Sequence, residues 1–181
     1  MESLGAKNMQ SPPMKPYKFL LGTQIFLRLL ATTFTLASTW IILTSKQTVT
    51  VFGYEMAARY SYSPILKFFA FANMIGCAFS FLSLILASVL GRKGLAPKNS
   101  FYTFLHDLIV MALLLVGCAA ATAVGHVGKY GEIHSGWMPI CKHVSIFCHK
   151  VTNSVILSYF AVIFYLCLAI IYANQSRQIQ V

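Results

Sequence analysis

FLLGTQIFLRLLATTFTLASTWIIL, running from Phe19 to Leu43, decides the class of this protein. As a helix rising about 1.5 Å per residue, it is long enough to cross a bilayer core about 30 Å thick. It is too long for the roughly 7–15-residue core of a signal peptide, and no A-x-A-like cleavage site follows, so it is expected to remain as a first span. Three further runs of the same kind follow at Ile65–Leu90, Phe101–Val124 and Val151–Tyr172. The 181 residues are 57% hydrophobic and 10% charged, where a soluble domain carries about 25% charged. The expected fold is therefore all-α and integral to the membrane, a single four-transmembrane-helix bundle over residues 19–172. Its spans are 19–43, 65–90, 101–124 and 151–172. The tails are 1–18 and 173–181, the external loops 44–64 and 125–150, and the cytoplasmic loop 91–100.

Lys and Arg beside span ends mark the cytoplasmic side. Lys7, Lys15, Lys18, Arg92, Lys93, Lys98 and Arg177 fall on one side, and Lys46, Arg59, Lys67, Lys129, Lys142 and Lys150 on the other. The totals are close, but the second loop packs three cations into about ten residues, and that density favours both termini in the cytoplasm. Trp40 lies near the outer end of the first span, where indoles collect. Cys141 and Cys148 then face an oxidising compartment. The sequon Asn174-Gln175-Ser176 lies in a cytoplasmic tail and is expected to stay bare. The formal charge of +10 is scattered through tails and loops, without the dense patch or motif of a nucleic-acid binder. Its expected partner is the anionic headgroup layer.

Gln24, Arg28, Thr32, Thr35 and Thr39 recur at helical spacing and form one polar stripe on the first span. Small residues make matching stripes on the others: Ala72, Gly76, Ser80, Ser83 and Ala87, then Gly117, Ala121 and Gly125, then Ser154, Ser158 and Ala161. Such faces let helices approach closely where lipid removes the ordinary hydrophobic drive. Arg28 and Asp107 are the charges within the spans that demand a partner, because each costs about 2.5–3.5 kcal/mol to insert alone. The first and third spans run in the same direction, and the two residues lie about three residues apart in depth, or about 4.5 Å. They are expected to pair inside the bundle. An orientation lock is the structural reading of that pair, and a proton or ion pathway the functional one.

The segment GWMPICKHVSIFCHKV, Gly136–Val151, holds Cys141 and Cys148. A local disulfide is the simpler reading, with Trp137 and Pro139 bracing a rigid external surface. The competing reading is a metal site from Cys141, His143, Cys148 and His149, with His134, but that spacing is not one of structural zinc. Cys77, Cys118 and Cys167 lie in spans as small hydrophobes. No redox, zinc-protease, nucleophile-elbow or P-loop motif is present. Four carboxylates in the whole chain leave little for paired acid–base work. No catalytic residue, metal or cofactor is expected. Thr48 to Phe52 offers a short strand in the first external loop.

Arg28 and Asp107, the run Arg59-Tyr60-Ser61-Tyr62-Ser63-Pro64 leading to Phe68-Phe69-Ala70 and Ala72-Asn73, and Trp137-Met138-Pro139-Ile140-Cys141 through Phe147-Cys148 together resemble the Casparian strip membrane domain protein-like family of plants. The resemblance covers essentially the whole chain and implies a plasma-membrane protein distantly related to MARVEL domains. It implies homo- or hetero-oligomers with related four-span proteins, contact with lipids, and platforms that recruit apoplastic wall-modifying enzymes. Thr48–Tyr62 lacks the acidic-Ser-Leu-Pro-Phe-Phe-like signature of the strip-forming members, so a non-strip-forming scaffold is expected. A small channel or transporter, or an accessory subunit of a larger membrane protein, is the alternative.

Overall fold

A helix that is apolar on every side has no aqueous face and is stable only with lipid or protein all round. Four such helices form the chain: α1 (Met14–Leu43), α2 (Pro64–Lys93), α3 (Lys98–Tyr130) and α4 (Ser145–Ile179). All four are long and apolar enough to cross a membrane. The computed structural model describes residues 14–51, 54–93, 98–132 and 134–179, with side chains placed over most of 22–174. Most of the 1–18 tail, the centre of the 91–100 loop and Phe52 of the expected strand lie outside the described residues.

Each helix packs along two neighbours, α1 and α3 both lying against α2 and α4. The ring is antiparallel throughout, and α1/α3 and α2/α4 are its diagonals. One apolar layer gathers Ile42, Leu66, Phe69, Cys118 and Val155. A second gathers Ala31, Val110, Leu114, Tyr165 and Leu168. Phe26, Phe71, Phe81, Ile109 and Ile163 stand exposed on the outside, as lipid-facing positions require.

Small residues tighten the α2/α3 seam. A Cβ at Gly76 would lie 3.1 Å from Leu114 Cδ2, and one at Gly117 3.3 Å from Ala72 Cβ. Gly125 differs from its expected packing role, because a Cβ there would meet nothing within 4 Å. Its helix has by then left the seam.

The helices also outrun the expected spans. The stretch 125–150 is helical at both ends, with α3 continuing to Tyr130 and α4 beginning at Ser145. Hydropathy marks what lipid can bury, whereas the backbone ladder continues until something breaks it. At α3 the break is Gly131, whose φ of 75° suits glycine. A Cβ there would lie 2.7 Å from the Trp137 carbonyl oxygen.

The segment joining α1 to α2 is a two-stranded antiparallel hairpin, β1 (Lys46–Val51) against β2 (Tyr54–Arg59). It is longer than the strand expected at 48–52. A 3-10 turn at Tyr60–Tyr62 leads from it to α2. Gln47 ties the hairpin down, its Oε1 accepting from the Phe147 N–H at 2.8 Å. That bond satisfies one of the orphan donors in the first turn of α4.

Candidate functional site

Arg28 on α1 projects across the bundle, and the other three helices converge on its guanidinium. Its Nη2 lies 2.5 Å from Asp107 Oδ2 on α3. The same nitrogen donates to the Tyr172 hydroxyl on α4 at 3.4 Å, and Nη1 donates to Ser83 Oγ on α2. The guanidinium also sits 5.7 Å from the centre of the Tyr172 ring. Exposure is 2% for Arg28 and 0% for Asp107. Arg28 and Asp107 belong to diagonal helices, and the long Arg side chain spans the gap between them. The other carboxylate oxygen of Asp107 faces His106 Nδ1 at 3.4 Å, and Phe79 meets the His106 ring edge-on.

Towards the hairpin end of the bundle the polar groups continue to bond helix to helix. Ser80 Oγ donates to the Gly76 carbonyl at 2.7 Å and so accepts from the Tyr165 hydroxyl, linking α2 to α4. Asn73 donates to the Phe69 carbonyl and accepts from Ser158 Oγ at 2.9 Å, bridging the same diagonal. Ser38 and Ser154 each donate to the other's carbonyl oxygen at 2.8 Å, joining α1 to α4. All of these rungs are buried.

The threonine stripe behaves differently from a polar track. Thr32, Thr35 and Thr39 return their hydroxyls to the carbonyls of Arg28, Ala31 and Thr35 on their own helix. This is the i−4 back-bonding that satisfies a hydroxyl inside a helix.

At the opposite end from the 91–100 loop, Glu132 and Trp137 exchange both backbone bonds, closing a tight loop at 2.9 and 3.0 Å. Pro139 packs beside Gly131. A 3-10 turn at Ile140–Lys142 follows, and Cys141 is disulfide-bonded to Cys148 in the first turn of α4, with Cα atoms 5.7 Å apart. The disulfide occupies both sulfurs that a metal site would need. Among the described residues, no three of His, Cys, Asp and Glu gather as a metal cluster. Trp137 is 63% exposed and stands at the tip beside Met138 and Ile140, both also exposed.

Ser83 was legible as a small residue rather than as the partner of Arg28. Tyr172 carried a weak signal, seven residues from Tyr165 and so on the same helix face. Asn73 was the clearer missed signal, since an amide within an apolar span needs a partner.

A family model described as the Casparian strip membrane protein domain matches residues 18–164. The chain is 48% identical over 181 residues to CASP-like protein 1F1 of Vitis vinifera, covering 100% of this chain and 88% of that one. It is 47% identical to CASP-like protein 1F2 of Populus trichocarpa, with 100% of both chains covered. To CASP-like protein 1F1 of Ricinus communis it is 48% identical, covering 93% of this chain and 94% of the relative. No solved structure matches.

Proposed function

The chain belongs to the Casparian strip membrane protein domain family, and from that premise and the geometry of its bundle we infer a non-catalytic plasma-membrane scaffold. It assembles with itself and with related four-span proteins into a platform. Both termini lie in the cytoplasm, and the hairpin and disulfide-closed tip face outward to position wall-modifying enzymes.

One observation carries the reading. Among the described residues, Arg28 Nε is the one intramembrane side-chain group buried without a partner; the polar rungs otherwise bond helix to helix or back to their own helix, while the outward faces are apolar. A conducting pathway needs polar groups that can exchange partners with an ion or water, and bonds committed to neighbouring helices favour a rigid frame instead. A rigid frame with apolar flanks suits assembly in the plane of the membrane.

Photobleaching recovery of a cytoplasmically tagged copy in a plant plasma membrane tests this. The expected result is slow recovery in discrete patches, made faster by Arg28→Ala. Rapid recovery of a uniformly spread protein, together with selective ion flux in reconstituted vesicles, would refute the scaffold and establish the channel.

A further inference from the structure

Where α1 passes into the hairpin, the surface opens into a cleft of about 370 Å³ lined by Leu43, Ser45, Lys46, Arg59, Tyr60 and Ser61. Two features of it are unfavourable as they stand. The hairpin register sets Lys46 directly opposite Arg59, and like charges in opposed positions repel. Neither has a carboxylate partner among the described residues. The hairpin's own acid, Glu55, is at the far end, opposite Thr50. In addition, Ser45 is fully buried and its Oγ has no hydrogen-bond partner among the described residues. A buried hydroxyl without a partner is costly unless something else bonds it.

One ligand chemistry answers both features. An oxyanion between Lys46 and Arg59 turns a repelling pair into two attractions, and a free oxygen on it accepts from the Ser45 hydroxyl once that buried side chain turns towards the cleft. A tetrahedral phosphate has enough oxygens to meet an ammonium, the guanidinium fork and a hydroxyl together. The position of the cleft indicates the source. It adjoins Leu43, the last residue of α1, and Trp40, one turn earlier, is 72% exposed. Indoles on a lipid-facing surface mark headgroup depth. We propose that this cleft binds the phosphate of a phospholipid headgroup from the adjoining leaflet.

The test uses the full chain in maltoside detergent and phosphate-free buffer. It is titrated with dioctanoyl phosphatidylglycerol, with dioctanoylglycerol as the phosphate-free control, and with inorganic phosphate. Thermal unfolding midpoints report binding, since a ligand of the folded state raises them by mass action. Phosphatidylglycerol is expected to raise the midpoint and dioctanoylglycerol to leave it unchanged. Lys46→Gln with Arg59→Gln should weaken the apparent affinity at least about tenfold, and Ser45→Ala should weaken it to a lesser degree. Without ligand, the double-Gln variant should be at least as stable as the parent, because the repulsion has gone. This separates a binding role from a structural one. If inorganic phosphate alone saturates the site with the same dependence on Lys46 and Arg59, the phosphate chemistry holds and its source is the free ion. A phosphatidylglycerol shift unchanged by the double-Gln substitution, or matched by dioctanoylglycerol, would overturn the proposal.

Discussion

Removing either member of the Arg28–Asp107 pair should cost far more than the pair itself contributes. Breaking a buried pair by deleting one partner costs about 3–5 kcal/mol, because the other charge is left stranded. The contacts on the page set an order between the two deletions. Asp107→Ala leaves Arg28 with Ser83 and Tyr172. Arg28→Ala leaves Asp107 with His106 at 3.4 Å, and should be the worse of the two. If the effects were independent, the double variant would lose about 6–10 kcal/mol and would not hold together. Coupling predicts instead that Arg28→Ala/Asp107→Ala is destabilised by less than that sum, by about 3 kcal/mol. The assay is a double-mutant cycle on reversible unfolding of the purified chain in mixed micelles. The exchanged variant Arg28→Asp/Asp107→Arg should recover only part of the loss, since the new guanidinium would sit nearer α3, away from Ser83 and Tyr172. Additivity within about 0.5 kcal/mol in the alanine cycle would refute the reasoning.

Other residues give sharper contrasts. Gly117→Val should destabilise the bundle by about 1–3 kcal/mol, because the added atoms meet Ala72 and Phe69. Gly125→Ala should change stability by less than about 0.5 kcal/mol in the same unfolding measurement, its surroundings being open. Cys141 and Cys148 should resist a membrane-impermeant maleimide until reduced. Cys141→Ser/Cys148→Ser should lower stability by about 2–3 kcal/mol through loss of a short closed loop, measured by the same unfolding.

The architecture was legible because lipid imposes a length and a composition that four runs of this chain satisfy. The third run shows where that legibility stops. Hydropathy fades near Val124, yet the helix continues to Tyr130, since nothing before Gly131 interrupts its ladder. Opposing Arg28 and Asp107 took only direction and depth, two quantities a sequence carries. Ser83 and Tyr172 required helix rotation, which spacing within one helix does not give. Thr48–Phe52 looked like a strand from its β-branched residues. Its partner, YEMAAR at Tyr54–Arg59, has little β propensity and is a strand because the opposing strand supplies its hydrogen bonds. Gln47 was silent for a similar reason: its partner, the Phe147 N–H, lies a hundred residues away.

The placement of the charge on a diagonal explains more than its presence. Neighbouring helices already meet through Gly76, Gly117 and the apolar layers, so their contact needs no ion pair. The diagonals share those layers but have no such close seam, and Arg28–Asp107, Asn73–Ser158 and Ser80–Tyr165 lie on them. Polar bonds between membrane helices average well under 2 kcal/mol each, so the rungs add little to the strength of the bundle. They do discriminate. Rotating α1, α2 or α3 by a single residue, about 100°, would turn a charge or an amide towards lipid, at about 2.5–3.5 kcal/mol for the charges, and rotating α4 would withdraw the hydroxyls of Ser158, Tyr165 and Tyr172 from their partners. Apolar packing alone would tolerate several rotations of nearly equal energy. The rungs leave one, and with it a single arrangement of the outward faces of all four helices. If the protein is the scaffold proposed above, assembly through those faces depends on that arrangement being unique, and loss of Arg28 should loosen the assembly even where the bundle still folds.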